Sequence, residues 1–220
     1  MHAKLTSAYP LGFADAEISV DGSDNGLGFS LGALWQPRET LNLGLFYSSH
    51  VHHKLRGRAD LPTSTSNTDV AMITPESVTA GLSWAVKPNL RVLTGITWTR
   101  WSRLQDLDIE LSNGLTLSEE HDWRDTWRLS LGAEVDRGPW TFRGGLAWDQ
   151  SPIRDDAHRY PRLPDTDRTW LALGVGYRRN GWQVDLGYAH LFFADRSGEH
   201  PATDYSSSTD ILGVGATKTW

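Results

Sequence analysis

The sequence predicts an all-β protein, an antiparallel transmembrane β-barrel, on three observations. Apolar residues recur at every second position almost throughout, the period of a strand with one apolar side. Connections alternate between tight turns of about two to five residues and polar segments of about ten to eighteen, the layout of an outer-membrane barrel. Tryptophans gather at strand ends rather than mid-strand, as an interfacial girdle requires. No run of about 18 apolar residues exists, which excludes a transmembrane helix.

Taken in order, residues 14–20 read as a partial edge strand, so that 1–24 form an incomplete start to the barrel. Residues 26–35 follow, with Leu27, Phe29, Leu31, Ala33 and Trp35 on one face. After a turn at 36–40, the strand 41–55 aligns Leu41, Leu43, Leu45, Tyr47 and Val51. Residues 58–74, rich in Ser, Thr and Asp, read as a long loop. The strand 75–86 aligns Val78, Ala80, Leu82, Trp84 and Val86. Lys87-Pro88-Asn89 turns it into a long strand, 90–111, whose pattern breaks near 100–104. A polar loop at 112–122 leads to the strands 124–136 and 140–149, joined through Arg137-Gly138-Pro139. The loop 150–167 carries three prolines. Strands 168–179 and 182–193 meet at Asn180-Gly181, the strongest two-residue hairpin signal. The loop 194–207 precedes the last strand, 209–220. Trp35, Trp84, Trp140 and Trp182 flank the short turns; Trp98, Trp127 and Trp148 lie toward the long loops.

Composition narrows the function. The chain has 220 residues, 11 Trp, 21 Gly and no Cys. Lack of cysteine excludes a disulfide framework, a thiolate metal site and a cysteine nucleophile. A formal net charge of −6 disfavours nucleic acid. The first twenty residues lack a signal-peptide pattern. A removed signal, or a longer parent chain, is therefore expected.

Five blocks carry a family resemblance: TWTRWSRLQDL (97–107), WRDTWRLSLGAEV (123–135), WTFRGGLAWDQSPI (140–153), RLPDTDRTWLALGVGY (162–177) and VDLGYAHLFF (184–193). They resemble the FadL/TodX (OMPP1) family of outer-membrane transporters for long-chain fatty acids and other hydrophobic compounds. GLGFSLGALWQP (26–37) and LNLGLFYSSHVHHKLRG (41–57) fit the same family. The resemblance implies a fourteen-stranded barrel around an N-terminal plug, with ligand captured at the outer loops and released sideways into the membrane. About nine strands are counted here, or ten with 14–20. Residues 1–220 are thus expected to be the C-terminal part of one barrel domain, with plug, early strands and lateral gate outside it. The expected location is the Gram-negative outer membrane, and the expected function is transport of long-chain fatty acids or other hydrophobic compounds.

If the apolar face meets lipid, the alternate residues line a lumen. A fatty acid there needs a cation for its carboxylate above an apolar slot. Arg124 lies where the resemblance places a basic residue near the headgroup; Arg128 and Arg143 come next. The competing role for these arginines is pairing with Glu134, Asp149 and Asp185. Leu34, Phe46, Leu93, Trp101 and Trp170 are inward apolar residues, suited to the tail or to plain lumen packing. Leu61, Met72 and Ile73 are loop positions suited to capture. His50 and His52 share a face beside His53, yet no third metal ligand accompanies them. Asp155, Asp156 and His158 lack a nucleophile motif, so no enzyme is expected. Gly174-Val175-Gly176 is mid-strand and not a phosphate loop. No cofactor and no metal are expected. The expected partners are a long-chain fatty acid or apolar small molecule and outer-membrane lipid, with no nucleic acid, around a monomeric barrel. The alternatives are a soluble or periplasmic lipid-binding β-barrel and a small structural outer-membrane barrel.

Overall fold

A computed structural model describes residues 2–10, 15–61, 64–111, 116–159, 165–199 and 202–219. In chain order the elements are β1 (His2–Pro10), β2 (Asp15–Ser23), β3 (Ser30–Arg38), β4 (Leu41–Ser48), β5 (Val51–Leu61), β6 (Ser64–Thr74), β7 (Ser77–Lys87) and β8 (Leu90–Thr99). A single 3-10 turn, Trp101–Arg103, precedes β9 (Asp106–Leu111), β10 (Thr116–Glu120), β11 (Thr126–Arg137) and β12 (Trp140–Asp149). The chain continues through β13 (Arg168–Arg179), β14 (Trp182–Phe193), β15 (Arg196–Glu199), β16 (Ala202–Tyr205) and β17 (Ser208–Lys218). No helix among the described residues is long and apolar enough to cross a membrane.

Nine strands form one antiparallel meander in the order β3-β4-β7-β8-β11-β12-β13-β14-β17. Tight turns close one end of it. Asn180 and Gly181 both take positive φ, 52° and 75°, the geometry of a two-residue hairpin that matches strand twist. Gly138 does the same job beside Pro139, at φ 61°. At the opposite end the chain leaves the meander into a second sheet, β1-β2-β5-β6-β9-β10, and a small β15–β16 hairpin.

That second sheet corrects several expectations. Segments 58–74, 112–122 and 194–207 were expected as loops; among their described residues they carry the end of β5 with all of β6, β10, and the β15–β16 pair. Of the expected edge strand 14–20, residue 14 lies outside the described residues and 15–20 belong to β2, which pairs with β1 and β5 outside the meander, so nine strands and not ten cross the apolar band. The strand expected over 41–55 divides at Ser49–His50, and the one over 90–111 divides at the 3-10 turn. The physical reason is common to all of these. Beyond an apolar band a strand needs paired backbone groups but no apolar face, so polar composition no longer distinguishes strand from loop. Within this sheet Leu55 pairs with Val70, and both are buried.

The meander separates its two faces. Leu31, Leu131, Leu146, Leu173, Leu212 and Val214 lie on one face and are each more than half exposed. Such a surface demands an apolar environment rather than water. The tryptophans locate its edge. The register line from Trp35 runs through Leu43, Leu82, Thr94 and Leu131 to Leu146, six residues above Trp140 on β12. From Trp140 it runs through Tyr177 to Val184, two residues above Trp182. Four turn-end tryptophans therefore fall on one line that slips by about one residue per strand. With a rise of ~3.3 Å per residue and ~4.8 Å between strands, that slip corresponds to a tilt of about 35°, within the range of membrane barrels. Lys218 Nζ lies 5.3 Å above the Trp182 ring at the same level, a cation at an aromatic girdle.

Leu131 sits midway along β11 on the apolar face. Leu131→Arg is expected to destabilise the folded state in liposomes by about 2–4 kcal/mol. Ser130→Arg, on the opposite face, is expected to cost less than half as much. Equilibrium unfolding of both variants checks the assignment of the faces.

Candidate functional site

The face opposite the apolar band is built in three tiers. Nearest the tight turns is a charged row. Arg91 donates to Glu134 (2.8 Å), and Arg143 donates to Glu134 and to Asp185 (2.7 Å each). Gln183 donates to the other oxygen of Asp185 (2.9 Å) and accepts from Arg178 (2.9 Å). Five strands are tied by this row. Gly176 permits it: a Cβ there would stand 2.5 Å from Asp185 Oδ1 and 3.1 Å from an Arg143 nitrogen.

The middle tier is nearly bare of side chains. Gly44, Gly81 and Gly95 share one register line. Gly132 and Gly145 share the next, two residues closer to the tight turns. Gly174, Gly187 and Gly213 share the one after that. The glycines thus descend with the same slant as the tryptophans and make a roughly level belt. A trough of about 1130 Å³ lies along it, with Leu34, Leu93, Arg128, Glu134, Arg143 and Trp170 among its lining. Arg128 rests on the Trp170 ring, its guanidinium carbon 4.6 Å from the centroid. Among the described residues, Arg128 makes no ion pair with a carboxylate. The Trp170 Nε1 atom is buried and makes no hydrogen bond.

The third tier is the rim where the meander ends. Leu104, Trp123 and Ile153 form a buried cluster, with Met72 and Trp101 packed against it and the two Trp rings 5.2 Å apart. Glu76, in the link between β6 and β7, is the polar hub beside them. Arg103 grips both of its oxygens, through Nε and at 2.9 Å through a second nitrogen, and Arg100 adds a contact at 3.2 Å. The Arg103 hydrogen bonds hold the buried Glu76 carboxyl down at about 2, against desolvation that opposes them. Glu76 in turn raises the Arg103 guanidinium.

The expected site residues fall into different tiers. Arg128, Arg143, Leu93, Trp170 and Leu34 come together at the trough. Phe46 faces the same side, on the register line of Arg128. Arg124 lies at the rim, donating to the Ser151 carbonyl (3.2 Å) and 3.9 Å from Asp167. Trp101 and Met72 belong to the rim cluster, away from the trough. Ile73 is half-buried on β6, and the Leu61 side chain lies outside the described residues. Of the carboxylates considered as partners, Glu134 and Asp185 take Arg143, while Asp149 takes Arg168 at 2.9 Å. Asp155 accepts from the backbone and ring of His158 (3.1 and 2.6 Å), which closes a local turn. Asp156 pairs with the buried Arg159. No cluster of metal-ligating residues occurs among the described residues.

Sequence reasoning did not find the Glu76 hub. Its one signal was a lone carboxylate after Pro75, facing Arg100 and Arg103 at the break in strand pattern. Nor did it find Tyr188, His190 and Asp210 on the apolar face. There both Tyr188 and His190 approach one oxygen of Asp210 at 2.7 Å.

Comparison with known proteins places this geometry. Residues 4–217 match the family model described as outer membrane protein transport protein (OMPP1/FadL/TodX). A putative outer membrane protein of Neisseria meningitidis serogroup B is 27% identical over 232 aligned positions, 92% of this chain and 49% of the relative. The long-chain fatty acid transport protein of Salmonella typhi is 29% identical over 199 positions, 81% of this chain and 46% of the relative. The crystal structure of a Pseudomonas aeruginosa FadL homologue superposes with a TM-score of 0.86 at 25% identity, covering 94% of this chain and 56% of that one. The chain spans about half the length of the curated relatives it matches.

Glu76→Gln is expected to loosen the rim by about 2–3 kcal/mol, since two arginines lose a charged acceptor. Because the Glu76 carboxyl is held below its ordinary value, its contribution is full above about pH 4.5 and fades only as pH falls toward 2. Limited proteolysis across the β6–β7 link, from pH 7 to pH 3, checks both statements.

Proposed function

The chain belongs to the OMPP1/FadL/TodX family of outer-membrane transport proteins, and we propose that it forms the wall and ligand trough of a channel for hydrophobic compounds. Long-chain fatty acids are the favoured class, and the transport involves no chemical step. The observation that carries this reading is Arg128. It is an inward cation on an aromatic ring, beside a glycine-floored apolar trough, with no carboxylate partner among the described residues. A cation so placed is free to take a carboxylate, whereas Arg143 is already shared between two. The trough volume suits a drug-sized or larger apolar ligand.

In this reading the tight turns face the periplasm and the second sheet faces outward. Outer-membrane lipid covers the leucine face, and the barrel is monomeric. Leu34, Leu93 and Phe46 flank the tail, and Trp170 holds the Arg128 guanidinium edge toward the headgroup. Arg124, engaged by the Ser151 carbonyl and Asp167, serves the rim.

Oleate binding to the protein in detergent tests this assignment. Arg128→Ala is expected to weaken binding by about 10-fold or more, the loss of one charge-assisted hydrogen bond. Arg124→Ala is expected to change it by less than about 3-fold, and binding of a neutral aromatic hydrocarbon is expected to be insensitive to both. Unchanged oleate affinity in Arg128→Ala would remove the trough as the headgroup site.

A further inference from the structure

The three histidines at the root of the β5–β6 hairpin have no place in the transport reading. His50 Nδ1 lies 3.6 Å from Glu76 Oε2, and His53 Nδ1 lies 3.4 Å from Asp24 Oδ2. Both ring nitrogens are buried, and both contacts are longer than an ordinary N–H···O bond. A neutral imidazole offers the carboxylate either an Nδ1 lone pair or a single uncharged N–H; a protonated ring offers a charged donor, and the pair becomes ionic.

We propose that His50 and His53 form a pH-operated latch that fastens the β5–β6 hairpin to the rim when protonated and loosens it when neutral. The two contacts reach different parts of the chain. Asp24 lies in the link from β2 to β3, and Glu76 lies in the link from β6 to β7. Closing both pins the hairpin from two sides, next to the rim, where Met72 of β6 packs against the Leu104, Trp123 and Ile153 cluster.

The surrounding charges are compatible with this action. Around His50 stand Glu76, the Arg100 and Arg103 groups already bound to it, and the ring of His52, edge-on at 5.1 Å. Around His53 stand Asp24 and Lys54; the Lys54 backbone N–H donates to Asp24 at 3.1 Å, while its ammonium turns to Asp69 at 3.0 Å. The arginines keep Glu76 ionised, and the Lys54 N–H lowers Asp24. Both carboxylates are therefore ionised across the neutral range. The latch needs one event, uptake of a proton by imidazole.

Hydrogen–deuterium exchange on the protein extracted from outer membranes into detergent tests this. Protection factors, corrected for the intrinsic pH dependence of exchange, are compared at pH 5.5 and pH 8 for 51–56 and 67–74. At least a threefold rise at the lower pH is expected. His50→Gln/His53→Gln is expected to abolish that rise, and Asp24→Asn to reduce it. Protection independent of pH in the unmodified protein overturns the latch, whether or not the variants fold. Persistence of the full rise in the double variant overturns it as well.

Discussion

In hydrocarbon, no solvent can satisfy a backbone N–H or C=O, and each one left unpaired costs several kcal/mol. The nine-stranded meander is the response to that constraint. Its ladders run without a break from β4 to β17 at the level of the apolar band, apart from a one-residue irregularity near Ala85–Lys87. Where the band ends, the pattern relaxes at Ser49–His50, at the β6–β7 link and at the 3-10 turn. The strands then re-pair into a separate sheet. The rim marks a change of solvent.

The same boundary explains what was legible in the sequence. Strands inside the band carry a forced alternation, and β13 and β14 were found to the residue because Asn180-Gly181 fixes their turn. The faces and the girdle were equally readable, since Trp35, Trp84, Trp140 and Trp182 each mark the same height. Beyond the rim that forcing disappears. β6 and β10 are rich in Ser, Thr, Asp and Glu and read as loops, while the start of β5 and all of β9 read as continuations of the strands before them. The site was legible in kind but not in arrangement. Inward arginines could be named from period two alone. Which of them are neutralised depends on cross-strand register, as when Glu134 meets Arg91 on one side and Arg143 on the other. Register is set by turns far from the residues it brings together.

The inward face combines two opposite solutions to an interior surface. Near the tight turns, three arginines, two carboxylates and a glutamine satisfy one another, so charge is present but largely spent. Higher up, glycines leave the backbone itself as the lining. Such a lining offers shape and few hydrogen bonds, and so favours apolar occupants of varied outline. Arg128 is the exception there, a cation whose aromatic support does not compete for its donors.

The one-residue slip between neighbouring girdle tryptophans has an evolutionary consequence. Each spanning strand is locked in phase with its neighbours, so gaining or losing a single residue inside the band would exchange its two faces. Leu129 and Leu131 would turn to the lumen, and Arg128 and Ser130 to lipid. Length variation among relatives should therefore accumulate beyond the rim, in the β5–β6, β9–β10 and β15–β16 hairpins. Inside the band, drift should proceed by substitution. The loop-end hairpins are where this architecture is free to diversify what it meets beyond the membrane.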